Sequence, residues 1–197
     1  MHKKHIEATI QSLTQLILNH PINKDVDERL FYAGWKPING TGVFSAIFKS
    51  PCKRFVLRLG HDDDETLKDS YPYHATNCIF NPKNPYYQKV YWHVFHIEHE
   101  AGKMHKTLTI TLMEPLKRVN LSETAVRDMQ TVCRALVNKY EYNPYAGKPI
   151  VFKNKNMEKA VSHIQSTKEK YDLLYDTSKC NFMLRGKHQL VILDPLQ

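Results

Sequence analysis

The spacing of apolar residues changes partway along this 197-residue chain, and that change constrains the fold more than any other feature. Up to residue 113 the apolar and β-branched residues come in short extended runs, at 30–37, 43–49, 55–59, 90–98 and 107–113. Turn signals at Asn39-Gly40-Thr41-Gly42, Ser50-Pro51 and Ala101-Gly102-Lys103 break them up. Beyond residue 120 the period is helical. Val126, Met129, Val132, Cys133 and Leu136 predict a helix over 122–140, and a further helix is expected over 157–171. Strands followed by helices, rather than strands alternating with helices, predict an α+β fold with a five-stranded antiparallel sheet.

Three flanking features complete the outline. Ile6, Ile10, Leu13, Ile17 and Leu18 define an amphipathic helix over 3–19, ended by His20-Pro21 and expected to pack on the outside of the strand-rich region. A short helix fits the stretch before Asn81-Pro82-Lys83-Asn84-Pro85. Strands at 182–184 and 189–193, around Gly186-Lys187, read as a hairpin.

Composition narrows the function classes. No run approaches 18 apolar residues, and Met1-His2-Lys3-Lys4-His5 leads into a helix carrying Glu7, Gln11 and Gln15. Membrane spanning and signal-dependent secretion are therefore not expected. Cys52, Cys78, Cys133 and Cys180 form neither a C-x-x-C pair nor a disulfide framework, which fits free thiols in a reducing cytoplasm. The formal charge is +8, of which residues 1–100 carry +1 and the rest +7. A basic second half calls for an acidic partner; nucleic acid is possible but not favoured, because no nucleic-acid-reading motif accompanies the charge.

Two motifs carry chemistry. Gly40-Thr41-Gly42-Val43-Phe44-Ser45 lies between two expected strands, where glycines let backbone N–H groups approach a phosphate; the same two glycines also make an ordinary strand-joining turn. Asp176-Thr177-Ser178-Lys179-Cys180-Asn181 is followed by the hairpin and by Leu190-Val191-Ile192-Leu193-Asp194. Kinase-style phosphoryl transfer needs one carboxylate to orient the acceptor hydroxyl, then an amide and a second carboxylate to hold magnesium. Asp176, Asn181 and Asp194 supply those groups in that order, the last from the end of an apolar strand. His93, His96 and His99, with His105 nearby, have the composition of a zinc site, but alternation along a strand puts His96 on the face opposite the other two. Tyr86, Tyr87, Tyr91 and Trp92 form an aromatic cluster of core or partner-surface type.

Gly-x-Gly-x-Phe-Ser at 40–45, Val56-Leu57-Arg58-Leu59-Gly60, Leu112-Met113-Glu114-Pro115-Leu116, Asp176 to Asn181 and Ile192-Leu193-Asp194-Pro195 follow in the linear order of the protein-kinase-like fold. The set spans residues 30–196 and most resembles the small serine/threonine protein kinases of short-tailed bacteriophages. The resemblance implies a minimal bilobal kinase-like fold: an N-terminal helical extension (1–29), a nucleotide-binding lobe (30–116) and a truncated helical lobe (117–197). It further implies ATP and magnesium as cofactors. Gly40, Thr41, Gly42, Val43, Phe44 and Ser45 would cover the phosphates, and Glu114 to Leu116 would lie beside adenine. Asp176 would be the catalytic base, Arg58 would stand at the phosphate-binding lysine position, and Asn181 and Asp194 would be the magnesium ligands. The implied activity is serine/threonine phosphorylation of host proteins in the host cytoplasm.

Four departures keep an alternative open, a pseudokinase that binds or inhibits an acidic protein partner. Arg58 replaces lysine, Tyr175 replaces the arginine before the catalytic Asp, and Lys179 is displaced by one residue. No glutamate stands at the usual distance to pair with Arg58: Glu65 is too close in sequence, and Asp69 reads as a poor substitute.

Overall fold

A computed structural model describes residues 2–20, 25–38, 45–62, 69–98, 106–118, 123–137 and 149–197. The chain divides into two compact units, residues 1–69 with 90–115 and residues 70–89 with 116–197. The segment 70–89, which the linear reading groups with the strands, thus joins the second unit. That unit holds 16 Lys and Arg against 8 Asp and Glu, whereas the first holds 12 of each, so the whole net charge belongs to the second unit.

The first unit is built on one antiparallel sheet. Its strands are β1 (Lys36–Pro37), β2 (Ser45–Lys49), β3 (Val56–Asp62), β4 (Val90–Glu98) and β5 (Lys106–Met113), in spatial order β1-β2-β3-β5-β4. The expected five-stranded antiparallel sheet is present. Alternation along β3 and β5 sends Leu57, Leu59, Leu108, Ile110 and Leu112 to one face, where all are fully buried. Helix α1 (His2–Leu13), which runs into a π-helical turn at Thr14–Leu18, contributes Leu13 and Ile17 to the same core cluster. Tyr91 and Trp92 pack against that cluster as well. The first helix thus packs one apolar face onto this core from outside, as expected, and leaves its other face exposed.

One strand expectation needs correction. Residues 30–37 do not form a single extended run, because Val26–Tyr32 is a helix, α2, and only Lys36–Pro37 is strand. Val26 and Leu30, four residues apart, bury one face of α2, while Asp27 and Glu28 place negative charge at its positive end. The helix then stops at Gly34, whose φ of +84° is left-handed. Gly34 N–H donates to Phe31 C=O and Trp35 N–H to Leu30 C=O, both at 2.9 Å, the paired bonds of a Schellman terminus.

The second unit contains α3 (Tyr71–Phe80), α4 (Glu123–Val137) and α5 (Lys155–Tyr171). It also holds a three-stranded antiparallel sheet of β6 (Lys117–Arg118), β7 (Phe182–Arg185) and β8 (Gln189–Ile192). The hairpin is as expected; its third strand, β6, is not evident from two exposed basic residues. Asn154 starts α5 by accepting from the N–H groups of Asn156 and Met157. Met157, Ala160, Val161 and Ile164 bury its inner face. Helices α3 and α5 are joined by Asn77 Nδ2 donating to Thr167 Oγ1 at 2.8 Å and by the stacked rings of Tyr73 and Tyr171. Tyr86 and Tyr87 are buried in this unit, so the aromatic cluster of the sequence is shared out between two cores.

Candidate functional site

The sequence motifs fall on both units, and each is described within its own. In the second unit, Asp176, Asn181 and Asp194 are drawn together by backbone pairing. Tyr175 and Leu196 form an antiparallel bridge, and Asp176 N–H donates to Pro195 C=O at 2.9 Å. Leu193 N–H donates to Asn181 C=O at 2.8 Å. These bonds fix the two residues flanking Asp194 onto the loop that carries the other two side chains.

Within the loop, the Asp176 carboxylate accepts from Ser178 N–H at 2.9 Å, and the Asn181 side-chain amide donates to Asp176 C=O at 3.3 Å. Partial burial opposes ionisation of Asp176, but hydrogen bonds from the Ser178 hydroxyl and amide and from Asn181 outweigh it and hold the carboxyl below its usual range. Asp176 is an anion at neutral pH.

The donor set suits a hard cation. The Asn181 nitrogen is given to a carbonyl, and its Oδ1, which accepts weakly from the Cys180 thiol at 3.9 Å, is the atom that could serve a cation, with Asp194 carrying a carboxylate; magnesium takes oxygen donors and completes its shell with water or phosphate. Among the described residues no group of three or more His, Cys, Asp or Glu is arranged to hold a metal.

In the first unit the face of the sheet opposite the apolar core is polar. Register places Arg58 opposite Thr111 and Gly60 opposite Thr109, with His93 of β4 opposite Thr111 on the far side. Arg58 makes a two-pronged ion pair with Asp69, Nη1 to Oδ2 at 2.5 Å and Nη2 to Oδ1 at 2.8 Å, with both side chains buried. Thr109 Oγ1 donates to Asp69 Oδ2 at 3.3 Å, and the His93 Nδ1 and Thr111 Oγ1 atoms are 2.8 Å apart. Burial first, then the nearby Arg58 charge, lowers the His93 pKa against the opposing pull of Asp69, so its imidazole is neutral at pH 7.

This pair corrects the reading of Asp69 as a poor partner. A shorter acid suffices because the strand makes room: a Cβ on Gly60 would stand 2.0 Å from Asp69 Oδ2 and 2.3 Å from Thr109 Oγ1. A glycine inside a strand is the sequence signal for such a close approach, and it was available at Gly60.

Of the other expected residues, Gly40, Thr41, Gly42, Val43 and Phe44 lie outside the described residues, as do His99 and His105. Ser45 opens β2 opposite Gly60. Glu114 is buried just after β5, and Leu116, half-buried, falls at the start of the second unit's second segment. Among the described residues no helix is long and apolar enough to cross a membrane. Compared with models of known protein families and with curated protein sequences, the chain matches none.

Proposed function

We propose that the chain is an ATP-dependent phosphotransferase of the serine/threonine protein kinase type, acting on hydroxyls of host proteins as the phage resemblance implies. The observation that carries this reading is the assembly of Asp176, Asn181 and Asp194 by the Asp176–Pro195 and Leu193–Asn181 backbone bonds. Three residues 18 positions apart at their extremes occupy one loop cluster in the second unit, with the chemistry phosphoryl transfer needs. Asp176, ionised, accepts a hydrogen bond from the attacking hydroxyl and orients it. Asn181 and Asp194 would hold magnesium, which would supply positive charge against the phosphates when bound. The buried Arg58–Asp69 pair supports the same reading from the first unit, since an ion pair based on the third strand is a recurring part of kinase catalysis.

A second reading has its own observation. Asp176 is held below its usual pKa range and so is a weak proton acceptor. That suits a pseudokinase that binds or inhibits an acidic protein partner without transferring phosphate. Equilibrium binding of ATP with and without magnesium tests what the first reading requires. Wild-type protein is expected to bind ATP only with magnesium, Asp194→Ala and Asn181→Ala to lose that dependence, and Asp176→Ala to keep it. Magnesium-independent binding in every variant would remove the assigned ligands from the account.

A further inference from the structure

We propose that Ser70 and His74 are positioning residues that clamp the segment carrying Asp194; the functional meaning of the clamp rests on the phosphotransferase reading above. Both side chains come from the start of α3 and reach the backbone on either side of the carboxylate. His74 Nε2 lies 3.1 Å from Ile192 C=O, two residues before Asp194, and Ser70 Oγ donates to Leu196 C=O at 2.5 Å, two residues after it. A carbonyl only accepts, so neutral His74 carries its proton on Nε2. Ile192 is held a second time, its N–H donating to Tyr86 C=O at 2.9 Å.

Neither residue is explained by the helix it belongs to. Ser70 occupies the N-cap position of α3, where a serine hydroxyl ordinarily accepts from the first-turn N–H groups, yet its side chain makes no capping bond. The hydroxyl is spent on Leu196 instead. His74 is completely buried on the inner face of α3 beside Tyr71, Cys78 and Tyr87, a place where an aliphatic side chain would pack without desolvating an imidazole. What the imidazole adds there is the N–H that meets the Ile192 carbonyl.

With Leu193 and Pro195 tied to the Asp176–Asn181 loop, the two α3 bonds leave Asp194 at the centre of a segment fixed at 192, 193, 195 and 196. The backbone that carries the carboxylate is thereby held before any cation arrives, which is part of the preorganisation a metal ligand needs.

The test is hydrogen exchange on the full chain, read on peptides covering 190–197 and 174–181. Ser70→Ala is expected to speed exchange there by about five- to tenfold, the effect of losing one hydrogen bond, with α5 and β5 unchanged. Ser70→Thr, which keeps the hydroxyl, is expected to restore the wild-type rate. His74→Leu should act like Ser70→Ala, and His74→Gln, which keeps an N–H, should act less. Magnesium-ATP binding is measured on the same proteins and should weaken with Ser70→Ala and recover with Ser70→Thr. Unchanged exchange in Ser70→Ala, or an equal rise across the whole chain, would overturn the clamp. If wild type binds no magnesium-ATP while the local exchange changes appear as expected, the clamp stands and the phosphotransferase reading falls.

Discussion

Acid should destabilise the second unit through His74. Its imidazole is fully buried, and burial outweighs the hydrogen bond to Ile192 and takes its pKa from 6.5 to about 4. Protonation would also add an N–H at Nδ1, an atom without a hydrogen-bond partner among the described residues. The unfolded chain binds this proton near pH 6.5 and the folded chain only near pH 4, so between those values the unfolded state carries more protons and stability falls as pH falls. Above pH 6.5 nothing changes, and below pH 4 the loss levels off. Worked from those two pKa values, the loss is about 2 kcal/mol at pH 5 and about 3 kcal/mol in full. Urea unfolding at pH 7.5 and pH 5.0 measures it, with a midpoint drop of about 1 M. Circular dichroism is the right probe, because both tryptophans, Trp35 and Trp92, belong to the first unit and report on that unit. The decisive quantity is the difference between wild type and His74→Gln. The variant should lose about 2 kcal/mol less than wild type between the two pH values. Equal losses in both proteins would refute the reasoning.

Three further variants test the first unit, and one tests a helix end. Asp69→Asn leaves the Arg58 charge buried without its partner and should cost about 3–5 kcal/mol in tryptophan-monitored unfolding, whereas the paired replacement Arg58→Met with Asp69→Leu should cost less. Gly60→Ala should destabilise this unit to a similar degree, because the new methyl occupies the place of the Asp69 carboxylate. Asn154→Ala removes the two bonds that cap α5 and should cost about 1 kcal/mol by circular dichroism.

Much of the fold was legible because apolar periodicity decides it. The strands at 90–98 and 107–113 and the helix at 157–171 alternate or recur strongly enough that burial fixes their type. Residues 30–32 misled because Phe31 and Tyr32 favour strands locally, and the burial of Val26 with Leu30 overrides that preference. The correcting signal was Gly34, which reads as a helix C-terminus once α2 is considered. Strand β6 had no signal, since two exposed basic residues owe their extended form to pairing with Met183 and Leu184.

The candidate site was legible only in part. Asp176, Asn181 and Asp194 could be found because their residue types and order are tied to one chemistry. Asp69 is underrated because its fit depends on the space left by Gly60; Ser70 and His74 could not be found, because their partners lie 126 and 118 residues away and no local pattern announces them.

The most direct measurement of the central claim is phosphoryl transfer from γ-labelled ATP with magnesium, using the protein alone and with host-cell extract. Label is expected on serine or threonine with wild-type protein, falling by about two to four orders of magnitude in Asp176→Ala while magnesium-ATP binding persists. No label above background with wild type, under conditions where magnesium-ATP is bound, would contradict the phosphotransferase account and leave the pseudokinase reading.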